Sequence, residues 1–331
     1  MVTESVHVPR DTSPPRRLDL VLVARREAGR DYVRLVLDAP TAWESLPGQF
    51  LNILCQSDPR AAAASERRVL AWDEGGEWPV ATGLELGRKK RPFVRRPLSI
   101  SRVLRDGAGV RLEVLVRNVG SGTRFLAARP VGVAVDVVGP LGNHFTPPDD
   151  DRLCVLVGGG CGVAPIFGLA DRLTEDGRRC LLILGAPTLD EVPAVFRGAP
   201  AVAGDAVTPC RSILDPDLGE VETILSTDDG SAGFHGTAIE AARRRLQDVG
   251  DKRPIAFYGC GPERMMRALA RLAERRDAPC QVSLECFMGC GIGVCLSCAA
   301  KMRDPASEKG WTYRMTCLDG PVADARDVVW E

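Results

Sequence analysis

Four cysteines near one end of the chain have the type and spacing for redox chemistry. Cys290, Cys295 and Cys298 are separated by gaps of four and two residues, and Cys317 follows after a gap of 18. Gaps of four and then two are the plant-type spacing for the ligands of a 2Fe–2S cluster. Gly291 and Gly293 lie between the first two cysteines. Glycine has no Cβ to collide with an inorganic core and takes positive φ freely, so backbone can wrap closely there. Such a cluster moves one electron at a time and leaves organic bonds alone. Other parts of the chain must therefore supply and accept the electrons.

Five further segments have the composition to hold a cofactor. Gly158-Gly159-Gly160-Cys161-Gly162-Val163-Ala164-Pro165 follows an apolar run and opens a helical pattern. Backbone amides and a helix N-terminus in that setting hold a pyrophosphate; a tight strand–helix turn without ligand is the plainer reading. Tyr258-Gly259-Cys260-Gly261-Pro262 repeats the same logic, with proline opening a helix. Cys260 would face the crevice at the strand ends, or serve only as a buried thiol. Ser226-Thr227-Asp228-Asp229-Gly230-Ser231 offers Asp228 to ribose hydroxyls, though Asp-Gly favours a turn regardless of ligand. Arg96-Pro97-Leu98-Ser99 pairs a phosphate clamp with a hydroxyl suited to a ring nitrogen. Gly120-Ser121-Gly122-Thr123 precedes a short helical stretch and is another candidate phosphate cradle.

These motifs need elements to position them. Apolar runs at Leu18–Val23, Tyr32–Leu37, Phe50–Leu54, Pro97–Ile100, Val110–Val116 and Val133–Val138 have the rhythm of a small antiparallel barrel. Beyond Asn143 the rhythm changes. Strand-like runs at Leu153–Val157, Leu181–Leu184, Thr223–Leu225 and Ile255–Tyr258 alternate with helical patterns at Ala164–Leu173, Gly236–Gln247 and Pro262–Arg276. That alternation predicts a parallel α/β sheet. The expected domains are a flexible arm at 1–16, a barrel at 17–149, an α/β domain at 150–277 and a small, strand-poor cysteine-rich domain at 278–331. Residues 56–92 break the barrel pattern, with Trp72, Trp78 and the basic run Arg88–Arg91, and read as a surface insertion.

Composition narrows the function further. A chain of 331 residues has room for two or three domains. A net charge of −1 argues against general affinity for nucleic acid or anionic membrane. No apolar run approaches the length of a membrane span, and the N-terminal residues lack the apolar core of a signal peptide. Twelve cysteines, most scattered in apolar runs, fit reduced thiols in a cytoplasmic setting.

Taken together and in order, the motifs resemble the ferredoxin–NADP reductase superfamily. The matching residues are Arg96–Ser99, Gly120-x-Gly122-Thr123, Gly139-Pro140-Leu141-Gly142-Asn143, Gly158–Pro165, Ser226–Ser231 and Cys260-Gly261-Pro262. The final segment narrows this. Glu285-x-x-Met288-Gly289-Cys290 through Cys298, and Cys317-Leu318-Asp319-Gly320-Pro321-Val322, resemble the electron transfer subunits of NAD-dependent, two-subunit dihydroorotate dehydrogenases. The resemblance covers roughly residues 17–322.

It implies a multidomain β and α/β fold: an antiparallel flavin barrel, a Rossmann-like nicotinamide domain and a small 2Fe–2S domain. Arg96, Pro97, Leu98 and Ser99 would hold FAD, with Leu115, Val116 and Arg117 on the next strand. Gly122 and Thr123 would hold its pyrophosphate. Gly158, Gly159, Gly160, Gly162, Asp228, Cys260 and Gly261 would line the NAD site, and Ser99 and Cys260 would be catalytic. Cys290, Cys295, Cys298 and Cys317 would ligate the cluster. The implied partner is an FMN-containing catalytic subunit, two copies of each chain forming a heterotetramer. The long 56–92 stretch, Ala323 and the extra thiol Cys286 depart from the family's pattern. Two other functions remain open at this level: a diaphorase-like subunit of a hydrogenase or transhydrogenase, and a four-cysteine zinc scaffold.

Overall fold

Alternation along the first six strands decides the barrel. In β1 (Arg16–Glu27), Leu20 and Leu22 turn inward, while Val21 and Val23 face solvent. In β5 (Gly109–Arg117), Val110, Leu112, Val114 and Val116 fill the interior. With β2 (Tyr32–Ala39), β3 (Phe50–Leu54), β4 (Arg95–Asp106) and β6 (Ala134–Leu141), they form a closed antiparallel barrel in the order β1-β2-β5-β4-β3-β6. Closure leaves no open strand edge. A short helix, α1 (Ser121–Ala127), follows β5. The computed structural model describes residues 15–55, 95–107, 109–248 and 253–330. The expected arm up to residue 14 and the expected 56–92 insertion, with its basic run, lie outside them.

The second layer begins with β7 (Leu153–Gly159), a short 3₁₀ turn and α2 (Val163–Glu175). It continues through β8 (Cys180–Ala186), the two-residue β9 (Val195–Phe196), β10 (Val202–Gly204), β11 (Ile213–Asp215), β12 (Glu222–Thr227) and β13 (Gly233–His235). Helix α3 (Ala238–Asp248), β14 (Ile255–Cys260), α4 (Glu263–Arg275) and β15 (Cys280–Ser283) complete the alternation. A hairpin, β16 (Ala299–Arg303) and β17 (Trp311–Met315), and a last strand, β18 (Val322–Asp324), follow. The large sheet has the order β10-β13-β12-β8-β7-β14-β15-β18, parallel except where β18 runs against β15. Strand order reverses between β7 and β14. That is the switch point at which open α/β sheets form ligand crevices.

The cysteine-rich segment carries four short strands, more than its composition suggests. Two of them, β15 and β18, belong to the large sheet, so the loops between them are pinned at both ends by its hydrogen bonds. Strands of three to five residues among Gly and Cys are too short for an alternation pattern to register.

Barrel and sheet are held face to face. Gly168 of α2 lies against β4, where a Cβ would stand 2.7 Å from the Ser101 carbonyl. Beside it Arg102 pairs with Asp171 at 2.5 Å. Arg34, only 1% exposed, reaches from β2 to Asp215 at 3.3 Å and to the Pro193 carbonyl at 2.8 Å, with Glu113 of β5 at 3.4 Å.

Candidate functional site

The carboxyl ends of β7 and β14 are paired in register, with Gly158 opposite Cys260. Their turns then pack on each other so closely that glycine is required. A Cβ on Gly162 would lie 2.4 Å from the Cys260 carbonyl and the Gly261 nitrogen. On Gly261, at φ 151°, it would lie 2.9 Å from the Gly159 carbonyl oxygen. So Gly162 and Gly261 are explained first by backbone contact. Together they leave room at the mouth of the crevice.

That mouth opens into a cleft of ≈ 360 Å³ between barrel and sheet. Pro97, Leu98 and Ser99 of β4 and Leu115 and Arg117 of β5 form its barrel wall. Cys161, Gly162 and Cys260 form the opposite wall, and Leu284–Cys286 with Met288 close the third side. Volume and mixed lining suit a large ligand. The Val116 side chain is fully buried in the barrel core, because side chains alternate along a strand, and turns away from the cleft that Leu115 and Arg117 line.

Arg96 and Gly122 meet at the cleft's edge. A Cβ on Gly122 would stand 3.1 Å from Arg96 Nε, so glycine lets the guanidinium lie over α1. Thr123 lines the cleft, but its hydroxyl is committed to the helix cap. It accepts from the Gly120 and Val119 amides at 2.9 and 3.1 Å and donates to the Gly120 carbonyl at 3.1 Å. Thr123 therefore shapes the cradle rather than offering a free hydroxyl. Asp228 stands apart from the cleft, exposed at the carboxyl end of β12. Its strand is two places from β7 across β8, about 10 Å along the same rim. Burial and the neighbouring Asp229 raise its pKa.

The thiols in the cleft are not reactive thiolates. Burial pushes Cys260 well above its usual range, with Glu285 adding to the effect. Burial likewise pushes Cys161 up to about 11. Cys260 thus contributes a small neutral group at the crevice rather than a nucleophile.

The four-cysteine loop lies beside this cleft. Cys298 and Cys317 are buried with their sulfurs 3.2 Å apart, while Cys290 and Cys295 sit together at the exposed tip. Two pairs of thiols suit two irons, each taking two thiolates. A single zinc ion would gather its ligands round one point, whereas these thiols fall into two pairs. Backbone amides already point at the sulfurs. Ile292, Val294 and Cys295 donate to Cys290 Sγ at 3.2–3.4 Å, and Gly293 donates to Cys317 Sγ at 3.1 Å. Such donors stabilise the negative charge of ligating thiolates. Hydrogen bonds from Ser297 and Cys290 pull Cys295 down to about 6. Burial and the hydrogen bond with Cys298 push Cys317 up to about 12.

Both loop glycines have specific neighbours. Gly291 (φ 69°) rests on Asn52 of β3, and Asn52 Nδ2 donates to the Cys290 carbonyl at 2.7 Å. Gly293 (φ 82°) rests on Leu318, where a Cβ would collide with the side chain. The segment after Cys317 is clipped to the barrel by Asn143. Its Nδ2 donates to the Val322 and Asp319 carbonyls at 2.8 and 3.2 Å, and its Oδ1 accepts from the Val322 amide at 2.8 Å. The Gly139–Asn143 and Cys317–Val322 motifs are therefore two halves of one joint. Phe50 and Leu141 of the barrel pack directly on Cys298 and Cys317, and Phe50 also lines the cleft. Phe50 is thus shared by the cluster around the inner thiols and the cleft lining.

Sequence reasoning left two residues without a role: Asn52 under the cysteine loop, and Glu285 on the cleft wall. Asn143 and Glu285 stood within quoted motifs. Asn52 had no local signal, because its partner lies 238 residues away.

Barrel, switch-point crevice and paired thiols define a reductase of the ferredoxin-reductase type carrying an iron–sulfur segment. Comparisons agree. The NADH-dependent reduced ferredoxin–NADP oxidoreductase structure shares this fold, with a TM-score of 0.64 at 24% identity over 94% of this chain and 90% of that one. The ferredoxin reductase of carbazole 1,9a-dioxygenase gives a TM-score of 0.56 at 19% identity over 81% and 68%. Residues 285–329 match the family described as the iron–sulfur cluster binding domain of dihydroorotate dehydrogenase B. The dihydroorotate dehydrogenase B (NAD(+)) electron transfer subunit of Bacillus cereus strain Q1 is 32% identical over 320 residues, 95% of this chain and 99% of its own. That of Geobacillus kaustophilus strain HTA426 is 39% identical over 244 residues, 72% and 81%. The chain belongs to the family of dihydroorotate dehydrogenase B electron transfer subunits.

Proposed function

We propose that this chain carries electrons from a dihydroorotate-oxidising, FMN-containing catalytic subunit to NAD+ in pyrimidine biosynthesis. The cluster thiols would receive the electrons and the barrel cleft would hold FAD, with two copies of each chain in a cytoplasmic heterotetramer. FAD supplies the exchange between single electrons and a two-electron hydride. The observation that carries this reading is the packing of Phe50 against Cys298 and Cys317 on one side and the cleft on the other.

The chain's residues divide the work. Arg96, laid over Gly122, presents charge to a pyrophosphate at the cleft edge. Ser99 faces the cleft where a flavin ring would lie, and Leu98 and Leu115 exclude water from it. The glycine turns after β7 and β14 admit a dinucleotide to the crevice, and Asp228 offers its carboxylate to a ribose on the same rim. The eight cysteines outside the proposed ligand set are unpaired thiols, which fits a reducing compartment, and no helix among the described residues is long and apolar enough to cross a membrane. Co-purification tests the partner. A dihydroorotate-oxidising flavoprotein should accompany the chain. Recovery with a hydrogenase subunit instead would redirect the reading.

A further inference from the structure

We propose that the loop after β8, residues 187–193, is a spacer that turns adenosine binding at the Asp228 rim into placement of the nicotinamide against the flavin, with Ser231 and Glu191 as the positioning residues at its two ends. The inference rests on the relay proposed above. Hydride transfer needs two rings at reacting distance, and a misplacement of about 1 Å costs on the order of 10²-fold in rate. The barrel would hold one ring, while the rim of the sheet would anchor the far end of the other ligand. Binding energy gained at that far end speeds the reaction only when it orients the reacting end. Rim and barrel must therefore keep a fixed spacing. Helix α2 ties barrel to sheet through Gly168 and the Arg102–Asp171 pair. The loop after β8 is a second tie, placed at the rim itself.

On the barrel side the loop is held mainly through backbone. Arg30, in the turn between β1 and β2, donates its amide to the Asp190 carbonyl at 2.6 Å. Its neighbour Gly29 (φ 90°) lies so close that a Cβ would collide with the Val192 carbonyl. Glu191 pairs with Arg117 Nη2 at 3.3 Å. Arg117 lines the cleft, with its guanidinium 5.5 Å from the centroid of the buried Tyr32 ring. The Asn118 amide beside it donates to the Asp31 carbonyl at 2.7 Å, which joins the end of β5 to the same turn.

On the rim side the same loop holds the Asp228 segment. The Asp228 and Asp229 amides donate to the Ala186 and Pro187 carbonyls, each at 3.1 Å. Ser231 Oγ accepts from the Leu189 amide at 2.8 Å. Asp229 Oδ1 accepts from the Ser231 amide at 2.9 Å, which steadies Ser231 against the loop. Residues 228 to 231 are thus fastened to it at both ends. Leu189, which holds the rim, is followed directly by Asp190 and Glu191, which hold the barrel. A single 3₁₀ turn, Leu189–Glu191, spans the gap. The Glu191 amide donates to the Thr188 carbonyl at 3.2 Å and the Val192 amide to the Leu189 carbonyl at 3.1 Å. A turn so short and internally bonded passes position on rather than absorbing it. Neither Ser231 nor Glu191 is among the residues lining the cleft, so both act on the nicotinamide through the loop.

The test uses the full chain loaded with FAD and cluster, under anaerobic conditions. Two hydride donors are compared by the bleaching of the flavin. NADH carries the adenosine half, and reduced nicotinamide mononucleotide lacks it. Ser231→Ala and Glu191→Gln should each lower the limiting rate with NADH by about 5–100-fold, and leave the rate with the mononucleotide within about twofold of wild type. The dissociation constant of NADH should change less than the rate. Ser231→Thr, which keeps the hydroxyl, should recover the rate with NADH. Amide exchange gives a readout independent of turnover. Binding of 5′-AMP, which reaches only the rim, should slow exchange in the β1–β2 turn of the wild type and lose that effect in Ser231→Ala. Equal slowing with both donors in either variant would mean a merely structural role and would overturn the proposal. So would a wild-type β1–β2 turn whose exchange is indifferent to 5′-AMP. Asp228→Ala probes the underlying reading and should raise the NADH dissociation constant. If it does so while Ser231→Ala and Glu191→Gln treat both donors as wild type does, the spacer is wrong and the relay stands. If Asp228→Ala leaves NADH binding unchanged, the proposed nicotinamide site falls and the spacer with it.

Discussion

At the scale of single residues, the site depends on what glycine and asparagine permit. Gly162 has no room for a methyl group, because the 2.4 Å contacts are to backbone that cannot step aside. Gly162→Ala should cost about 1–3 kcal/mol of stability through overpacking. It should also weaken NADH binding, measured by isothermal titration, more than FAD binding. Asn143 is 2% exposed and makes three hydrogen bonds to the segment behind Cys317. Asn143→Ala would orphan the buried Val322 amide and should cost about 1–3 kcal/mol. The checks are melting temperature and cluster absorbance, both of which should fall while the flavin spectrum persists. The sequence revealed which glycines and cysteines matter, since their spacing is local. It was silent on why Gly139–Asn143 recurs, because its partner motif lies some 180 positions on. It also counted Val116 among the flavin contacts, where only strand alternation in three dimensions shows it turned into the barrel core.

At the scale of elements, the barrel is closed by a shared carboxylate. Asp136 of β6 receives Arg17 of β1 at 2.7 Å and Arg95 of β4 at 2.6 Å. Burial pushes its pKa up, but the hydrogen bonds and charges of the two arginines outweigh this and hold it below 3.8. A carboxylate depressed in the fold binds its proton more readily when unfolded. Its stabilisation is complete above the ordinary carboxylate range and is lost as pH falls through the lowered value. Asp136→Asn should therefore be less stable than wild type at neutral pH, and the two should converge in acid. Urea melts from pH 7 down to pH 3 check this, and a constant gap would contradict it. All six barrel strands were legible as alternating runs. The short strands β15 to β18 were not, because their place is set by neighbours in the sheet rather than by periodicity.

At the scale of the molecule, the chain reads as a path. The thiol pairs sit at one end, the cleft between barrel and sheet in the middle and the crevice at the switch point beside it, with Phe50 shared by the first two. Cys295 is exposed, and Cys290 beside it is half-buried with its carbonyl held by Asn52 of the barrel. Cys295 is the ligand whose replacement tests the path with least risk to the fold, since its side chain packs on nothing in the core. The decisive measurement is made on Cys295→Ser purified with its catalytic partner. Reduction of NAD+ by dihydroorotate should fall to background, while reduction of a dye by NADH through the flavin largely survives. Intact dihydroorotate-dependent NAD+ reduction in that variant would contradict the relay.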